Sequence, residues 1–238
     1  MDKPPLQPPD SENAWWRDGL RVALALPEPV QVRGMSLADA GRLIDGLMPA
    51  LPAQLLRASV KRKTEYLAGR HCAATALRAA GCDIASLPAM GQDRLPQWPH
   101  GWLGSITHGG GAAVAAVTRS GGAGRLGIDV EALIEPSSVA GIGALVALDG
   151  ELDLFSGCTP SQALTLLFSA KESLYKALYP EVRRFMDFSA ARATAFARGA
   201  LELTLTEDWH PAWRAGTCLS VGYATRGDLV FTALHLAS

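Results

Sequence analysis

The chain has 238 residues, 48% of them hydrophobic and 19% charged, a composition that supports a buried core and excludes a disordered chain. Lys and Arg number 22 against 23 Asp and Glu, a formal charge of −1, which argues against a broadly basic nucleic-acid binder. Cys72, Cys82, Cys158 and Cys218 are scattered without a CxxC pair, so they read as free thiols in a reducing compartment and not as a zinc knuckle or a disulfide frame.

Residues 1–13 are proline-rich and polar and read as a loose tail, and Met1-Asp2-Lys3-Pro4-Pro5 lacks the apolar centre of a signal peptide. Leu20 to Leu26 has strand character. Ser36 followed by Asp39 resembles a capping box and predicts a helix toward Met48. A long helix is expected from Pro52 to Ala80, with Pro52 in its first turn, Gly81 as its stop, and an apolar stripe of Leu56, Val60, Leu67 and Ala74. Three strands follow, at Leu103–Thr107, Ala112–Thr118 and Leu126–Glu131, the first two joined by a turn at glycines 109, 110 and 111. The apolar run Ile142 to Leu148 is far too short to cross a bilayer, and a soluble, cytoplasmic protein is expected.

Thr159-Pro160-Ser161-Gln162 signals a second long helix reaching about Leu178, with Pro180 ending it. Strands are then expected at Leu201–Leu205, Leu219–Ala224 and Leu229–Leu236. The expected fold is α+β: two similar subdomains related by a pseudo-twofold, each a small, mostly antiparallel sheet on a long helix. The subdomains would run over 14–125 and 126–238, around a shared cleft.

Four segments bear on chemistry. In the strand Gly127-Ile128-Asp129-Val130-Glu131, alternate side chains share a face, so Asp129 and Glu131 point together while Ile128 and Val130 point into the core. Paired carboxylates need a cation or a basic group beside them, and oxygen-only ligands suit Mg²⁺; a solvated acidic strand end is the plain alternative. Glu172 and Lys176 lie one helical turn apart, which by itself describes an exposed ion pair. Gly104-Ser105-Ile106-Thr107-His108 delivers a histidine to the glycine turn, where it could serve a phosphate or simply the hairpin. Arg57, Lys61, Arg62, Lys63 and Arg70 crowd one helix, as a solvated face or as a polyphosphate grip. Gly122-Ala123-Gly124-Arg125-Leu126-Gly127 matches GxGxxG but leads into a strand, the reverse of the dinucleotide fingerprint, and reads as a loop.

Taken in order, these segments resemble the 4′-phosphopantetheinyl transferase superfamily, in particular its enterobactin synthase component D type. The resemblance rests on Arg62 to Arg70, Gly104 to His108, Gly127 to Glu131 and Phe168 to Lys176, with Gly91 to Pro99 as a weaker fifth stretch. A GxDxE strand followed at this distance by a KExxxK helix is its most specific element. The sequence departs from the usual pattern at Phe168 for tryptophan, Thr107 for serine and Arg94 for lysine.

The resemblance implies transfer of 4′-phosphopantetheine from coenzyme A to a serine of an apo acyl, peptidyl or aryl carrier protein, with release of adenosine 3′,5′-bisphosphate. It implies that Asp129, Glu131 and Glu172 hold Mg²⁺, or Mn²⁺, and that Glu172 takes the serine proton. Lys176 and Lys171 would neutralise phosphate charge, His108 and Thr107 would sit at a phosphate, and Arg62, Arg70 and Arg94 would hold the nucleotide end. Asp129 and Lys176 complete the implied catalytic set with Glu172, and a monomer is expected. Two rival readings are a metal-dependent phosphohydrolase or nuclease, and a non-catalytic carrier-binding module. The first is disfavoured by the Glu172–Lys176 spacing and the neutral charge, the second by the presence of all three acidic positions.

Overall fold

The computed structural model describes residues 14–48, 51–84, 86–121 and 124–237. The expected tail over 1–13 and the start of the GxGxxG match at 122 and 123 lie outside them. A π-helical turn, Trp15–Gly19, runs into the short helix α1 (Leu20–Ala23). The strand expected at Leu20–Leu26 is therefore absent. Leu20 and Leu24 stand four residues apart and are both buried, a helical spacing that outweighs the apolar run. Strand β1 (Gln31–Ser36) and helix α2 (Gly41–Leu47) follow. Ser36 ends the strand, and its Oγ accepts the Ala38 N–H at 3.2 Å in a local turn well before α2 starts.

Helix α3 spans Val60–Ala79 and starts eight residues later than expected. Ser59 is extended, and its Oγ accepts the Arg62 N–H at 3.2 Å, as an N-cap does. Pro52 precedes a separate 3₁₀ turn, Ala53–Leu55. Of the expected stripe, Leu67 and Ala74 are buried while Leu56, before the helix, and Val60, at its first residue, are exposed.

Strands β2 (Trp102–Gly109) and β3 (Ala112–Arg119) form the expected hairpin. Gly110 and Gly111 take φ of 55° and 77° in its turn, where side-chain-bearing residues are strained. The remaining elements are β4 (Arg125–Ala132), α4 (Val139–Val146), α5 (Pro160–Val182), β5 (Ala191–Ala197), β6 (Ala200–Leu205), β7 (Cys218–Arg226) and β8 (Leu229–Leu236). Both bonds of the Thr159/Gln162 capping box are present at the start of α5. Its end lies past Pro180, at Arg183 in the left-handed region with φ of 57°.

The strands make two antiparallel sheets, β1-β3-β2 and β4-β8-β7-β6-β5, so the α+β architecture of two sheet-and-helix halves holds. Ala113 and Ala115 of β3 pack with Leu67, Ala68 and Cys72 of α3. Val114 and Ala116 face the other way, toward Ile128, Val130 and Phe231 of the second sheet. The far face of that sheet, including Leu203, Val221 and Leu234, packs on Leu167, Leu174 and Leu178 of α5. The layers thus run helix, sheet, sheet, helix. Trp15 and Trp16 meet Phe231 of β8 edge-on, with centroids 6.3 and 6.0 Å away, so the first described turn is wedged into the core between the sheets.

Gly127 explains the glycine of the GxDxE strand. A Cβ there would collide with the Ser173 carbonyl and the Ala177 nitrogen of α5, so its absence sets how closely helix and strand approach. Gly127→Ala is expected to lower stability by about 1–3 kcal/mol, read from denaturant unfolding. Wild-type stability would show that the strand and helix can part without cost.

Candidate active site

The floor of the site is built where β2, β4 and α5 meet. Asp129 on β4 is 3% exposed. Its Oδ1 accepts from Thr107 Oγ1 on β2 at 3.0 Å and from Lys176 Nζ on α5 at 2.5 Å, and its Oδ2 accepts from Ser169 Oγ at 2.8 Å. Lys176 Nζ also donates to Thr107 Oγ1 at 3.2 Å. Behind these, Thr232 Oγ1 lies 2.9 Å from Ser169 Oγ and 2.6 Å from Ser173 Oγ. Ser105 Oγ accepts the Ile128 N–H at 3.1 Å. A buried carboxylate with this many partners is held in one orientation.

Glu131 shares the strand face of Asp129. Burial, and then repulsion from Asp129 and Glu172, push its carboxyl up to about 7 against the pull of Lys176. Burial also raises Glu172, with Asp129 adding to it and Lys176 opposing. The three acids therefore feel one another, which is the chemistry of an oxygen-only donor set for a hard dication. They do not close into a cage: among the described residues, no group of three or more His, Cys, Asp or Glu side chains stands close enough to hold a metal ion. The counter-charge on Asp129 is Lys176.

Beside this floor opens a cleft of about 850 Å³, lined by Arg62, Tyr66 and Arg70 of α3, the loop 90–98, and Ile106 and His108 of β2. Tyr175, Lys176, Tyr179 and Arg183 line its other wall. Arg70 is 5% exposed, and its guanidinium lies over the Tyr66 ring, 5.0 Å from the centroid. Burial lowers its pKa, and its Nη1 is buried without a hydrogen-bond partner. An orphaned guanidinium N–H on a cleft wall is a donor waiting for an acceptor. Arg94 adopts φ of 66° in the loop. The adjacent Asp93 bonds across the cleft to Arg183 Nη1 at 2.5 Å.

Residues 51–118 match the 4′-phosphopantetheinyl transferase N-terminal domain, and residues 125–230 match the 4′-phosphopantetheinyl transferase superfamily. The chain belongs to the 4′-phosphopantetheinyl transferase superfamily. It is 34% identical to enterobactin synthase component D of Salmonella typhi over 181 residues, covering 75% of this chain and 74% of the relative. Identity to the 4′-phosphopantetheinyl transferase PptT of Mycobacterium tuberculosis is 33% over 183 residues, 74% of this chain and 78% of that protein. With the transferase Svp of Streptomyces mobaraensis it is 38% over 151 residues, covering 61% and 59%.

In this transferase the cleft gathers Arg62, Arg70, Arg94, His108 and Lys176, five of the residues expected at coenzyme A. Thr107 stands apart from them: it is buried, and its hydroxyl is spent on Asp129 and Lys176. Lys171 is not brought to the cleft at all. Its Nζ is buried and donates to Glu151 Oε2 at 2.8 Å, Val146 O at 2.9 Å and Phe188 O at 3.0 Å. At about 100° per residue, Lys171 leaves α5 about 140° away from Lys176, which lines the cleft. Glu172 opens on a neighbouring hollow of about 90 Å³ that Tyr175 also lines.

Sequence reasoning missed Ser105, Ser169, Ser173, Thr232 and Arg183. Two of these carried a readable signal. Ser105 shares a strand face with Thr107, and Ser169 lies one turn before Ser173 on α5, so small hydroxyls recur where the acids need donors.

Arg70→Ala is expected to weaken binding of coenzyme A more than of dephospho-coenzyme A, because the orphaned donor suits an extra phosphate. Calorimetry with both ligands checks this, and equal losses would remove Arg70 from the 3′-phosphate.

Proposed function

We propose that the transferase moves the 4′-phosphopantetheine arm of coenzyme A onto a serine hydroxyl of an apo carrier protein in this cleft. One observation supports the placement. Lys176 lines the cleft that Arg62, Arg70, Arg94 and His108 line, and its ammonium also bonds Asp129, so the polyanion-binding surface ends on the carboxylates.

The serine oxygen attacks the phosphorus that bears the pantetheine arm. A new P–O bond forms, the P–O bond to the bridging oxygen breaks, and adenosine 3′,5′-bisphosphate leaves. Glu172 takes the serine proton, a role helped by the upward shift that burial gives its carboxyl. Lys176 offsets charge building on the leaving phosphate. Arg62, Arg70, Arg94 and His108 hold the nucleotide end, while Thr107 and Ser169 orient Asp129. Asp129, Glu131 and Glu172 do not form a cage as they stand; drawn together, they would hold Mg²⁺, or Mn²⁺, which when bound supplies counter-charge to the pyrophosphate.

The relatives named for enterobactin synthesis favour carriers of siderophore or related peptide assembly as partners. Among the described residues, no helix is long and apolar enough to cross a membrane. Intact-mass analysis of an apo carrier incubated with coenzyme A, Mg²⁺ and this protein tests the reading. A carrier gaining one phosphopantetheine is expected, and an unmodified carrier beside hydrolysed coenzyme A would favour the phosphohydrolase.

A further inference from the structure

Glu65 lies on α3 between Arg62 and Arg70, and its side chain is only 13% exposed although basic groups surround it. Its Oε2 is 3.6 Å from His108 Nδ1 and 3.9 Å from Arg62 Nη1, and its Oε1 is 3.9 Å from Lys61 Nζ. On the other edge of the same imidazole, His108 Nε2 lies 2.6 Å from Arg62 Nη1.

This geometry fixes a proton. A guanidinium has only donors and stays protonated. The short contact therefore needs the Nε2 lone pair as acceptor, and the neutral ring carries its hydrogen on Nδ1, the nitrogen turned to Glu65. Burial, the largest influence on the ring, and the nearby Arg62 and Lys176 favour that neutral form, while Glu65 and Asp129 oppose it. The order is thus carboxylate, imidazole, guanidinium, with the last two on the cleft wall.

We propose that Glu65 is a positioning residue: it holds the Nδ1 side of His108, whose Nε2 lone pair in turn holds Arg62, so that the guanidinium meets a ligand phosphate already oriented. The proposal rests on the reading of the cleft as a coenzyme A site. A carboxylate behind an imidazole fixes ring orientation and tautomer in many sites where histidine must present one nitrogen.

The sign of the effect separates this role from its alternatives. A bystander carboxylate near bound phosphates repels them, so removing it should tighten binding. A positioning carboxylate does the reverse. A purely structural one changes the melting temperature without changing the imidazole.

The test uses Glu65→Gln, nearly the same shape without the charge, and Glu65→Leu, which removes the acceptor as well. Affinity for adenosine 3′,5′-bisphosphate, measured by calorimetry without metal, is expected to fall about threefold in the first and about tenfold in the second. The ¹⁵N shifts of His108 in the free protein are expected to show the Nδ1–H form in wild type and a mixture of tautomers in Glu65→Leu. Unchanged or tighter binding in both variants overturns the proposal, as does a His108 signature that Glu65→Leu leaves unmoved. Wild-type protein that fails to bind the bisphosphate, while its His108 tautomer still responds to Glu65→Leu, would overturn the nucleotide reading and leave Glu65 orienting the ring.

Discussion

Glu172→Gln is expected to slow the chemical step by roughly a hundredfold or more while leaving coenzyme A binding nearly unchanged. The amide keeps one oxygen for a cation and nearly the same shape, but it cannot accept a proton. Glu172 sits on a rigid helix one turn before Lys176, which bonds Asp129 at 2.5 Å, and burial raises its carboxyl. Those are conditions for a proton acceptor, but burial and Asp129 would raise a ligand carboxylate in the same way. Single-turnover rates across a Mn²⁺ titration separate the two tasks. A defect in ligation alone is rescued as the ion is raised, and full recovery at high Mn²⁺ would take the base role from Glu172.

Glu151→Ala is expected to cost about 3–5 kcal/mol of folding stability, the range for breaking a buried ion pair by removing one partner. The side chains of Lys171 and Glu151 are 3% and 0% exposed. Glu151 also accepts the backbone N–H groups of Leu148 and Ala193, each at 2.5 Å. Without the carboxylate, Lys171 keeps two carbonyl acceptors but loses its paired counter-charge, and two N–H groups lose their partner. Burial already holds the Lys171 pKa down against the pull of Glu151, so part of the loss is relieved if the lysine gives up its proton. Equilibrium denaturation measures the cost, and a loss under about 1 kcal/mol would mean that water reaches the pair. Replacing both residues, as Glu151→Leu with Lys171→Met, should recover much of the stability.

Lys171 shows where sequence reading reaches its limit. In the KExxxK pattern both lysines look equally available to phosphate, and the α5 period separates them: Lys176 faces β4 and the cleft, Lys171 faces Glu151. Glu151 is 20 residues upstream with no pattern of its own, so its pairing is visible only after folding. The GxDxE strand was legible because alternation alone puts Asp129 and Glu131 on one face, and Gly127 shares that face with the approaching helix. The start of α5 was legible because its cap is local. The segment Leu20–Leu26 was not, since its helical packing depends on Phe231 and Val114, far along the chain. Strands β1 and β5 were missed because Gln31–Ser36 mixes charge with glycine, and Ala191–Ala197 is mostly small side chains. The late start of α3 was missed because Pro52 offered a stronger local signal than Ser59.

Among the described residues, four side-chain hydrogen bonds join the segment before residue 122 to the segment after 123: Ser105 with Ile128, Thr107 with Asp129, Lys176 with Thr107, and Arg183 with Asp93. The first three lie at the floor of the candidate site and the fourth spans the cleft. In mechanical terms the floor is a weld. Sliding one sheet past the other shears the same bonds that aim Asp129 and Lys176, so misalignment of the halves and loss of the site are one event. A ligand that recruits Lys176 or Arg183 draws on that weld as it binds, and the stiffness of the joint becomes a property of the loaded state.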